Sequence, residues 1–423
     1  MADNKEFIKE NIVGRKDSWK KRLRHYVRIV LSALIFGILS AAVFAAAEPL
    51  LEKRFHKEEP ETVTLETETT AAPVTEAVTE APTVAETEPI QQVVQSELKN
   101  YAFSVSDYES VLSDLAKITS AAEDCLVEVK KNVSGTDFLG EPLEAQDSFS
   151  GIVIAHTYSE FLILTSDQAA QDTSSVEVSF LRDHVYAGTI KGVDHKDGFA
   201  VISVPVASMQ EADVKNVGTI TIGNSRLLKK GGTLIAIGAP ANVLYSSAYG
   251  MVSYITYNYS YVDCVCEVIV SDLVADPSKG TFIINTGGEL VGWISSKLGT
   301  SAEGYQRIAG SSDFVDWIEA ISNGQQIPYI GLSLQDVTKE MQTAGLPAGI
   351  YVRSAEQDSP AFAAGIQSGD IITKINDIPV ASAKDYSDVL STLKPSQEIT
   401  VAALRQRGAE YAEVPFTLTV STR

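Results

Sequence analysis

Short runs rich in Val, Ile, Leu and aromatic residues alternate with turn residues between about residues 121 and 296. Runs such as SGIVIA, FLILTS, FAVISV and TLIAIG have the length and the branched side chains of strands, and Gly, Asp, Asn or Ser separates them. About a dozen of these runs follow one another, which is typical of an all-β barrel or sandwich. The pattern therefore predicts a mainly β region that suits two six-stranded barrels.

Helical spacing of apolar residues marks three other stretches. Residues Ser106–Ile118 combine an N-cap residue with helical periodicity, which predicts a short helix that leads into the β region. Ser311-Ser312-Asp313 is predicted to cap a helix over FVDWIEAIS that ends near Gly324. A third helix is predicted over Asp385–Leu393. The end of the second helix places a domain boundary close to residue 325.

One segment near the start of the chain is long and apolar enough to span a membrane. Ile29–Ala47 contains 19 residues without a charge, and such a helix crosses a hydrocarbon core of roughly 30 Å. Residues 1–25 carry eight Lys or Arg against four acids, the excess expected of a cytoplasmic tail, so the bulk of the chain is predicted to lie outside the cytoplasm. Ala45-Ala46-Ala47 also resembles a signal-peptidase site, but the long apolar run favours an uncleaved anchor.

The segment that follows has the composition of a tether. Glu58–Glu97 is built largely of Glu, Thr, Ala, Pro and Val and has no aromatic residue, Lys or Arg. It buries too little apolar surface to offset the entropy of ordering, so we expect an extended, disordered stalk rather than a surface helix. The chain carries a net charge of −21, and about −26 lies after the membrane segment. Such a charge argues against nucleic acid as a ligand.

Cysteines and histidines give no indication of a metal site or a cofactor. Cys264 and Cys266 alternate with Val265, so on a strand they share a face but lie too close along the backbone to bridge each other easily. A bridge from Cys125 to one of them is an alternative, although buried free thiols are favoured. The five histidines occur singly, without the spacing of metal ligands.

The order and spacing of the motifs resemble the HtrA (DegP-like) proteases along roughly 300 residues, from Ala121 to Thr419. The landmarks include ILTS, VDHKDGFAVISV, GNSRLLKKGGTLIAIGAP and SDLVADPSKGTFIINTGGELVGW. The resemblance implies a trypsin-like double six-stranded β-barrel followed by an α+β PDZ domain, preceded here by one transmembrane helix and a disordered tether. The predicted domains are a basic tail (1–28), a transmembrane helix (29–47), a tether (48–104), a trypsin-like domain (105–325) and a PDZ domain (326–423).

Each catalytic position of that family carries a different residue here. Where the resemblance places the histidine, this chain has Gln168, whose amide cannot accept a proton at neutral pH. The acid position before Phe199-Ala200-Val201 is Gly198, and the serine position falls on Lys279 in a turn that is one residue short. All three catalytic groups are therefore predicted to be absent, and the shortened turn puts the oxyanion hole in doubt.

Displaced residues offer an alternative route to catalysis. Ser278 is the candidate nucleophile, with Asp197 or Asp194 as the acid and His195 or His156 as the base. Lys279 beside Ser278 also suggests a Ser–Lys hydrolase, but adjacent side chains diverge and a working lysine needs desolvation. The preferred interpretation is that these are ordinary loop residues.

The C-terminal region keeps the pattern of a PDZ module. Tyr329-Ile330-Gly331-Leu332 matches the carboxylate-binding loop of the family, in which backbone N–H groups receive a peptide C-terminus. The run SPAFAAGIQSGDIITKINDIPV supplies the later turns of that fold. The predicted peptide-binding residues are Tyr329, Ile330, Gly331, Leu332, Val389, Leu390 and Leu393; core packing is the alternative role for the apolar ones.

These patterns favour a membrane-anchored, extracytoplasmic HtrA-like pseudoprotease that binds extended peptides or protein C-termini, as a scaffold, sensor or modulator in envelope protein quality control. The resemblance also suggests an oligomer, with its own copies or with HtrA-like proteins. The alternative is an active HtrA-type serine endopeptidase that uses displaced catalytic residues. A third possibility is a purely structural role, in which the PDZ groove is blocked or unused.

Overall fold

The computed structural model describes residues 62–65, 103–136, 142–173, 175–301 and 304–423. The predicted basic tail, the predicted transmembrane helix and most of the predicted tether lie outside these residues. Within the described ranges, no helix combines the length and the apolar character needed to cross a membrane.

Six antiparallel strands close the first barrel in the order β1-β2-β3-β6-β5-β4. They are β1 (Leu126–Thr136), β2 (Pro142–His156), β3 (Glu160–Ser166), β4 (Ser175–Phe180), β5 (His184–Asp194) and β6 (Phe199–Pro205). Both faces of β3 are buried: Phe161 and Ile163 pack inside the barrel, whereas Leu162 and Leu164 join a core that it shares with the second barrel. This double burial explains why the strand appears in the sequence as an unbroken apolar run.

The second barrel repeats the arrangement, in the order β10-β11-β12-β9-β8-β7. Its strands are β7 (Thr233–Gly238), β8 (Ser246–Tyr261), β9 (Cys264–Ser271), β10 (Thr281–Ile284), β11 (Leu290–Ile294) and β12 (Gln306–Gly310). The two six-stranded barrels predicted from the strand count are thus present. Cys125, Cys264 and Cys266 are buried free thiols, the state that the sequence favoured.

Three α-helices accompany the barrels in the described part of the chain: α1 (Val105–Glu123), α2 (Glu211–Asn216) and α3 (Ser311–Ser322). Helix α1 extends beyond the predicted Ile118 because Thr119 and Ala122 are buried. Helix α3 ends at Ser322, with Asn323 as its C-cap and Gly324 directly after it, so the end near Gly324 is confirmed.

The predicted capping by Ser311-Ser312-Asp313 is wrong, since these residues form the first turn of α3 and Gly310 is the N-cap. Their side chains make tertiary contacts instead. The Ser311 hydroxyl donates to the Gly223 carbonyl at 2.7 Å, and the Asp313 carboxylate pairs with Arg226 at 2.8 Å. In a sequence, a cluster of Ser and Asp at a helix start looks the same whether its side chains cap the helix or make tertiary contacts.

The C-terminal region forms a six-stranded sheet and a separate two-stranded sheet, with short helices around them. The sheet order is β14-β15-β16-β18-β19 with β17 paired to β16, and β13 pairs with β20. The strands are β13 (Pro328–Tyr329), β14 (Leu332–Asp336), β15 (Ile350–Ala355), β16 (Ile371–Ile375), β17 (Ile378–Pro379), β18 (Glu398–Arg407), β19 (Glu410–Thr419) and β20 (Ser421–Thr422). The helices are α4 (Lys339–Thr343), α5 (Pro360–Ala363) and α6 (Ala383–Thr392). This is the mixed α+β module predicted for the region.

Two residues of the predicted stalk, Val63 and Leu65, pack against the folded part. The Val63 N–H donates to the Asn323 side-chain oxygen at 2.8 Å, and the Asn323 amide donates to the Val63 carbonyl at 2.9 Å. The Leu65 N–H donates to Glu319 at 3.2 Å, and the Val63 side chain is buried in the shared core. Residues 62–65 therefore differ from the disordered stalk expected there, because α3 offers both an apolar site and polar partners.

Candidate functional site

The position predicted for the base histidine lies in a single turn of 3₁₀ helix directly after β3. This turn spans Asp167–Ala170, and the Ser166 hydroxyl accepts from the Gln168 N–H at its start. Gln168 is half-buried, and its carbonyl accepts from the Lys131 ammonium at 3.2 Å. An amide at this point can donate and accept hydrogen bonds but cannot take a proton from a hydroxyl.

The predicted acid position is a glycine that its surroundings favour. Gly198 has a φ of +78°, and a Cβ added there would lie 2.8 Å from the Ser295 hydroxyl oxygen. The Asp167 N–H donates to the Gly198 carbonyl at 3.2 Å, which joins this turn to the 3₁₀ helix. A side chain at residue 198 would therefore require both an unfavourable backbone conformation and movement of its neighbours.

The nearby carboxylate is that of Asp167, which the sequence analysis did not single out. It is buried and lies 3.2 Å from the Lys297 ammonium and 3.5 Å from His195 Nδ1. Asp167 directly precedes Gln168, but the sequence gives no local signal that its carboxylate meets His195 and Lys297. Asp167 forms an ion pair with Lys297, and His195 is largely exposed beside it.

The turn at the predicted serine position is held by bonds within itself and to the first barrel. The Asp276 carboxylate accepts from both the Ser278 N–H, at 2.7 Å, and the Ser278 hydroxyl, at 2.5 Å. The Lys279 carbonyl accepts from the Ser150 N–H at 2.6 Å. Because the Ser278 N–H is already bonded to Asp276, it is unavailable as an oxyanion-hole donor in this arrangement.

The Lys279 side chain turns toward the first barrel. Its ammonium lies 4.8 Å from the centre of the Phe149 ring and 3.7 Å from Asp147. It is about one-third exposed, and its contacts are a carboxylate and an aromatic face. A carboxylate and an aromatic face are ordinary partners of a surface lysine.

Asp197 and Asp194 are paired with an arginine from the end of the C-terminal region. The Arg423 guanidinium lies 2.8 Å from Asp197 and 2.9 Å from Asp194, and its side chain is only 1% exposed. Burial raises the pKa of Asp197 well above its ordinary value; the Arg423 charge opposes this shift and the Asp194 charge adds to it. Local sequence gives no signal for this contact, because the partners lie more than 200 residues apart.

The structure does not bring Ser278, His195 and Asp197 together as a catalytic set. Within the described ranges the histidines have other partners: His156 stacks on Phe161, and His184 Nδ1 lies 2.7 Å from Asp213. His195 contacts Asp167 rather than Asp197. No histidine of the described residues is hydrogen-bonded to a serine oxygen.

The predicted carboxylate-binding loop holds a carboxylate from the same chain. The N–H groups of Ile330, Gly331 and Leu332 all donate to the side chain of Asp263, at 2.8, 2.8 and 2.9 Å. Asp263 lies between β8 and β9 of the second barrel, and sequence reasoning missed it. In the sequence, Asp263 looks like an ordinary polar residue of a hairpin turn, and nothing nearby points to the PDZ loop.

The side chains of the predicted peptide-binding residues are hydrogen-bonded or buried within the C-terminal region. The Tyr329 hydroxyl donates to Glu356 at 2.5 Å, and burial raises the pKa of Tyr329, as does this hydrogen bond. The apolar ones are all buried in the core of the C-terminal region: Ile330, Leu332, Val389, Leu390 and Leu393. Their role as groove-lining residues stays a prediction.

Comparison with known proteins follows the same division of the chain. A model of the trypsin-like peptidase domain matches residues 149–292, and a model of the PDZ domain matches residues 328–416. The chain is similar to the DegP-like serine proteases. It joins a trypsin-like peptidase domain to a C-terminal PDZ domain, the arrangement of the DegP-like serine proteases.

The chain is similar to several curated bacterial proteins. A probable periplasmic serine endoprotease DegP-like of Pseudomonas putida (strain W619) is 28% identical over 277 residues, which cover 62% of this chain and 54% of the relative. The protein of the same description from Halomonas elongata is 24% identical over 288 residues, which cover 66% of this chain and 58% of the relative. The chain thus spans about half the length of the curated relatives it matches.

Among solved structures, the HtrA-type protease AlgW with a decapeptide matches at a TM-score of 0.50 and 20% identity. The match covers 73% of this chain and 98% of that one. At this level of identity, the likeness shows the fold alone.

Proposed function

We propose that this HtrA-like chain is a membrane-anchored, extracytoplasmic pseudoprotease that binds peptides or protein C-termini through its PDZ domain. It acts as a scaffold, sensor or modulator in envelope protein quality control. The periplasmic description of its relatives and the apolar segment Ile29–Ala47 after a basic tail support this location.

The observation that carries the loss of proteolysis is the chemistry of three positions. Acyl transfer needs a hydroxyl, a base that removes its proton, and a carboxylate that orients the base. Gln168, Gly198 and Lys279 supply none of these groups. Their surroundings also favour the present residues, since Gly198 sits in a left-handed backbone conformation and Lys279 pairs with acidic and aromatic neighbours.

Peptide binding is supported by the geometry of the PDZ loop. Three successive N–H groups, from Ile330 to Leu332, converge on one carboxylate. The terminal carboxylate of a peptide presents the same pair of oxygens, and an extended peptide adds to the edge of a sheet through its backbone. Binding of a C-terminus is therefore the chemistry for which this loop is built.

The second candidate is an active HtrA-type endopeptidase that uses displaced residues, and the contact between His195 and Asp167 favours it. Such an enzyme would require Ser278 to leave Asp276 and meet His195. A histidine paired with a buried carboxylate is the orienting half of a catalytic triad, so this alternative has a defined arrangement to test.

Incubation with unfolded casein separates the two candidates. The full-length chain, purified in detergent, is compared with its Ser278→Ala variant and with an active HtrA protease. We expect no cleavage by either form of this chain. Cleavage that is blocked by a serine-directed phosphonate and lost in Ser278→Ala would refute the pseudoprotease and support the displaced catalytic set.

A further inference from the structure

The tip of one hairpin of the second barrel lies inside the carboxylate loop of the PDZ domain. Tyr261 and Cys264 are paired across the hairpin, so Val262 and Asp263 form its two-residue turn. Turns of this kind ordinarily face solvent, yet Asp263 is 0% exposed. Its φ of +57° is a conformation that Asp tolerates at a tight turn.

Four donors satisfy the Asp263 carboxylate. Besides the three backbone N–H groups of the loop, the Tyr386 hydroxyl on α6 donates at 2.7 Å. Burial raises the pKa of Tyr386, and the Asp263 charge raises it further, so this phenol remains protonated and able to donate. The set therefore combines the PDZ loop with a residue of α6, the helix that carries the predicted peptide-binding residues Val389 and Leu390.

The backbone of the hairpin turn also joins the PDZ sheet. The Asp263 N–H donates to the Leu332 carbonyl at 2.7 Å, and Val262 forms an antiparallel bridge with Ser333 of β14. The neighbouring Val265 side chain packs on the apolar core of the PDZ domain. A carboxylate in the loop, a backbone bond beside it and an apolar side chain nearby are the three contacts expected of an extended peptide bound at a sheet edge.

The hairpin has further anchors outside the groove. The Tyr261 hydroxyl donates to the Lys196 carbonyl, in the turn that precedes Gly198. The Lys196 ammonium in turn pairs with Glu356, whose N–H donates to the Gly331 carbonyl beside the carboxylate loop. Removal of the hairpin from the groove must therefore also break its bond to this turn.

We infer that the hairpin tip, Tyr261–Cys264, is an internal ligand of the PDZ domain, and that a protein C-terminus binds only by displacing Asp263. Each backbone N–H can serve one strong acceptor at a time, so two carboxylates cannot occupy the loop together. The inference rests on the proposed peptide-binding function and adds its regulation: the groove is closed until a ligand competes with the hairpin.

The expected effect on affinity follows from the occupied fraction of the groove. If the hairpin fills the loop nine-tenths of the time, releasing it tightens peptide binding by about tenfold, and a higher occupancy gives a larger gain. Asp263→Ala removes the competing carboxylate. Tyr261→Phe removes one outer anchor and leaves every PDZ residue in place.

The test uses the full-length chain and twenty fluorescein-labelled decapeptides that differ in their C-terminal residue, each as the free acid and as the amide. Fluorescence anisotropy gives Kd for the wild type, Asp263→Ala, Tyr261→Phe and the control Asp272→Asn. Asp272 accepts the Met251 N–H at the opposite end of the same strand pair, away from the PDZ domain. We expect Asp263→Ala to bind free acids at least tenfold more tightly than the wild type, with no gain for amides and none for Asp272→Asn.

Equal affinity of the wild type and Asp263→Ala for the same free acids would overturn the internal ligand while leaving PDZ binding intact. Absence of binding to every peptide by all variants would overturn both the internal ligand and the proposed function. If Asp263→Ala fails to fold, Tyr261→Phe decides: tighter binding of free acids supports the inference, and an unchanged Kd overturns it.

Discussion

Replacing Arg423 by Gln is expected to destabilise the fold strongly, and more at pH 7 than at pH 5. The guanidinium is buried between Asp194 and Asp197 and lies 4.1 Å from the centre of the Trp317 ring. Removing it leaves two buried carboxylates without their cation. Breaking a buried ion pair by removing one partner costs about 3–5 kcal/mol.

Protonation sets an independent limit on this cost. The variant can fold with one carboxyl protonated, which at pH 7 costs about 4 kcal/mol for a group of ordinary pKa near 3.9, and at pH 5 about 1.5 kcal/mol. Burial already raises the pKa of Asp197 in the folded state, and removing the opposing Arg423 charge raises it further. When the pKa of a group is higher in the folded than in the unfolded state, the fold is most stable at a pH below the unfolded-state pKa. That stability is lost as the pH rises toward the folded-state pKa. The deficit of the variant therefore grows from pH 5 to pH 7 by about 2.5 kcal/mol.

Urea unfolding, followed by tryptophan fluorescence at both pH values, measures this difference. Arg226→Gln is the matched control, because Arg226 pairs with Asp313 but is 59% exposed. Its loss should cost at most about 1 kcal/mol at either pH. A deficit for Arg423→Gln that is the same at pH 5 and pH 7, or no larger than that of the control, would refute the electrostatic account.

Three further predictions concern other parts of the fold. Gly280→Ala should cost about 2 kcal/mol more than Gly231→Ala in urea unfolding: both glycines have positive φ, but a Cβ at Gly280 would lie 2.4 Å from a backbone oxygen, whereas none lies near Gly231. Equal costs would contradict this. Asn323→Ala should destabilise the fold by about 1–2 kcal/mol and speed limited proteolysis near Val63, since it removes both of their hydrogen bonds; unchanged cleavage would count against the packing of this segment. Burial raises the pKa of Cys125 to about 11, as does the Asp124 charge, so alkylation at pH 8 should be about 100-fold slower in the native than in the urea-unfolded chain by peptide mass spectrometry. Comparable rates would show that the thiol is accessible.

The barrels could be predicted from sequence because their information is local. Strands such as Phe161–Thr165 need burial on both faces, and this requirement appears directly as an apolar run of branched and aromatic residues. Glycine turns supply the boundaries. The N-cap of α3 was harder to predict, because the polar residues from Ser311 to Asp313 could serve either as a cap or as tertiary contacts.

The contacts that decide the site depend on distant residues. Asp263 looks like a turn residue until the PDZ loop is placed 67 to 69 residues further along the chain. Arg423 looks like a solvated cation until it meets Asp194, 229 residues away. Neither contact follows from a local pattern, because charge and turn preference specify how a residue behaves near its neighbours and not which distant group it meets.

The packing of residues 62–65 on α3 has a mechanical consequence. Tension on the chain from its N-terminal side reaches the folded part at Val63 and Asn323, next to Gly324, where the second barrel ends and the PDZ domain begins. A pull from that side is thus delivered close to the joint between the two domains.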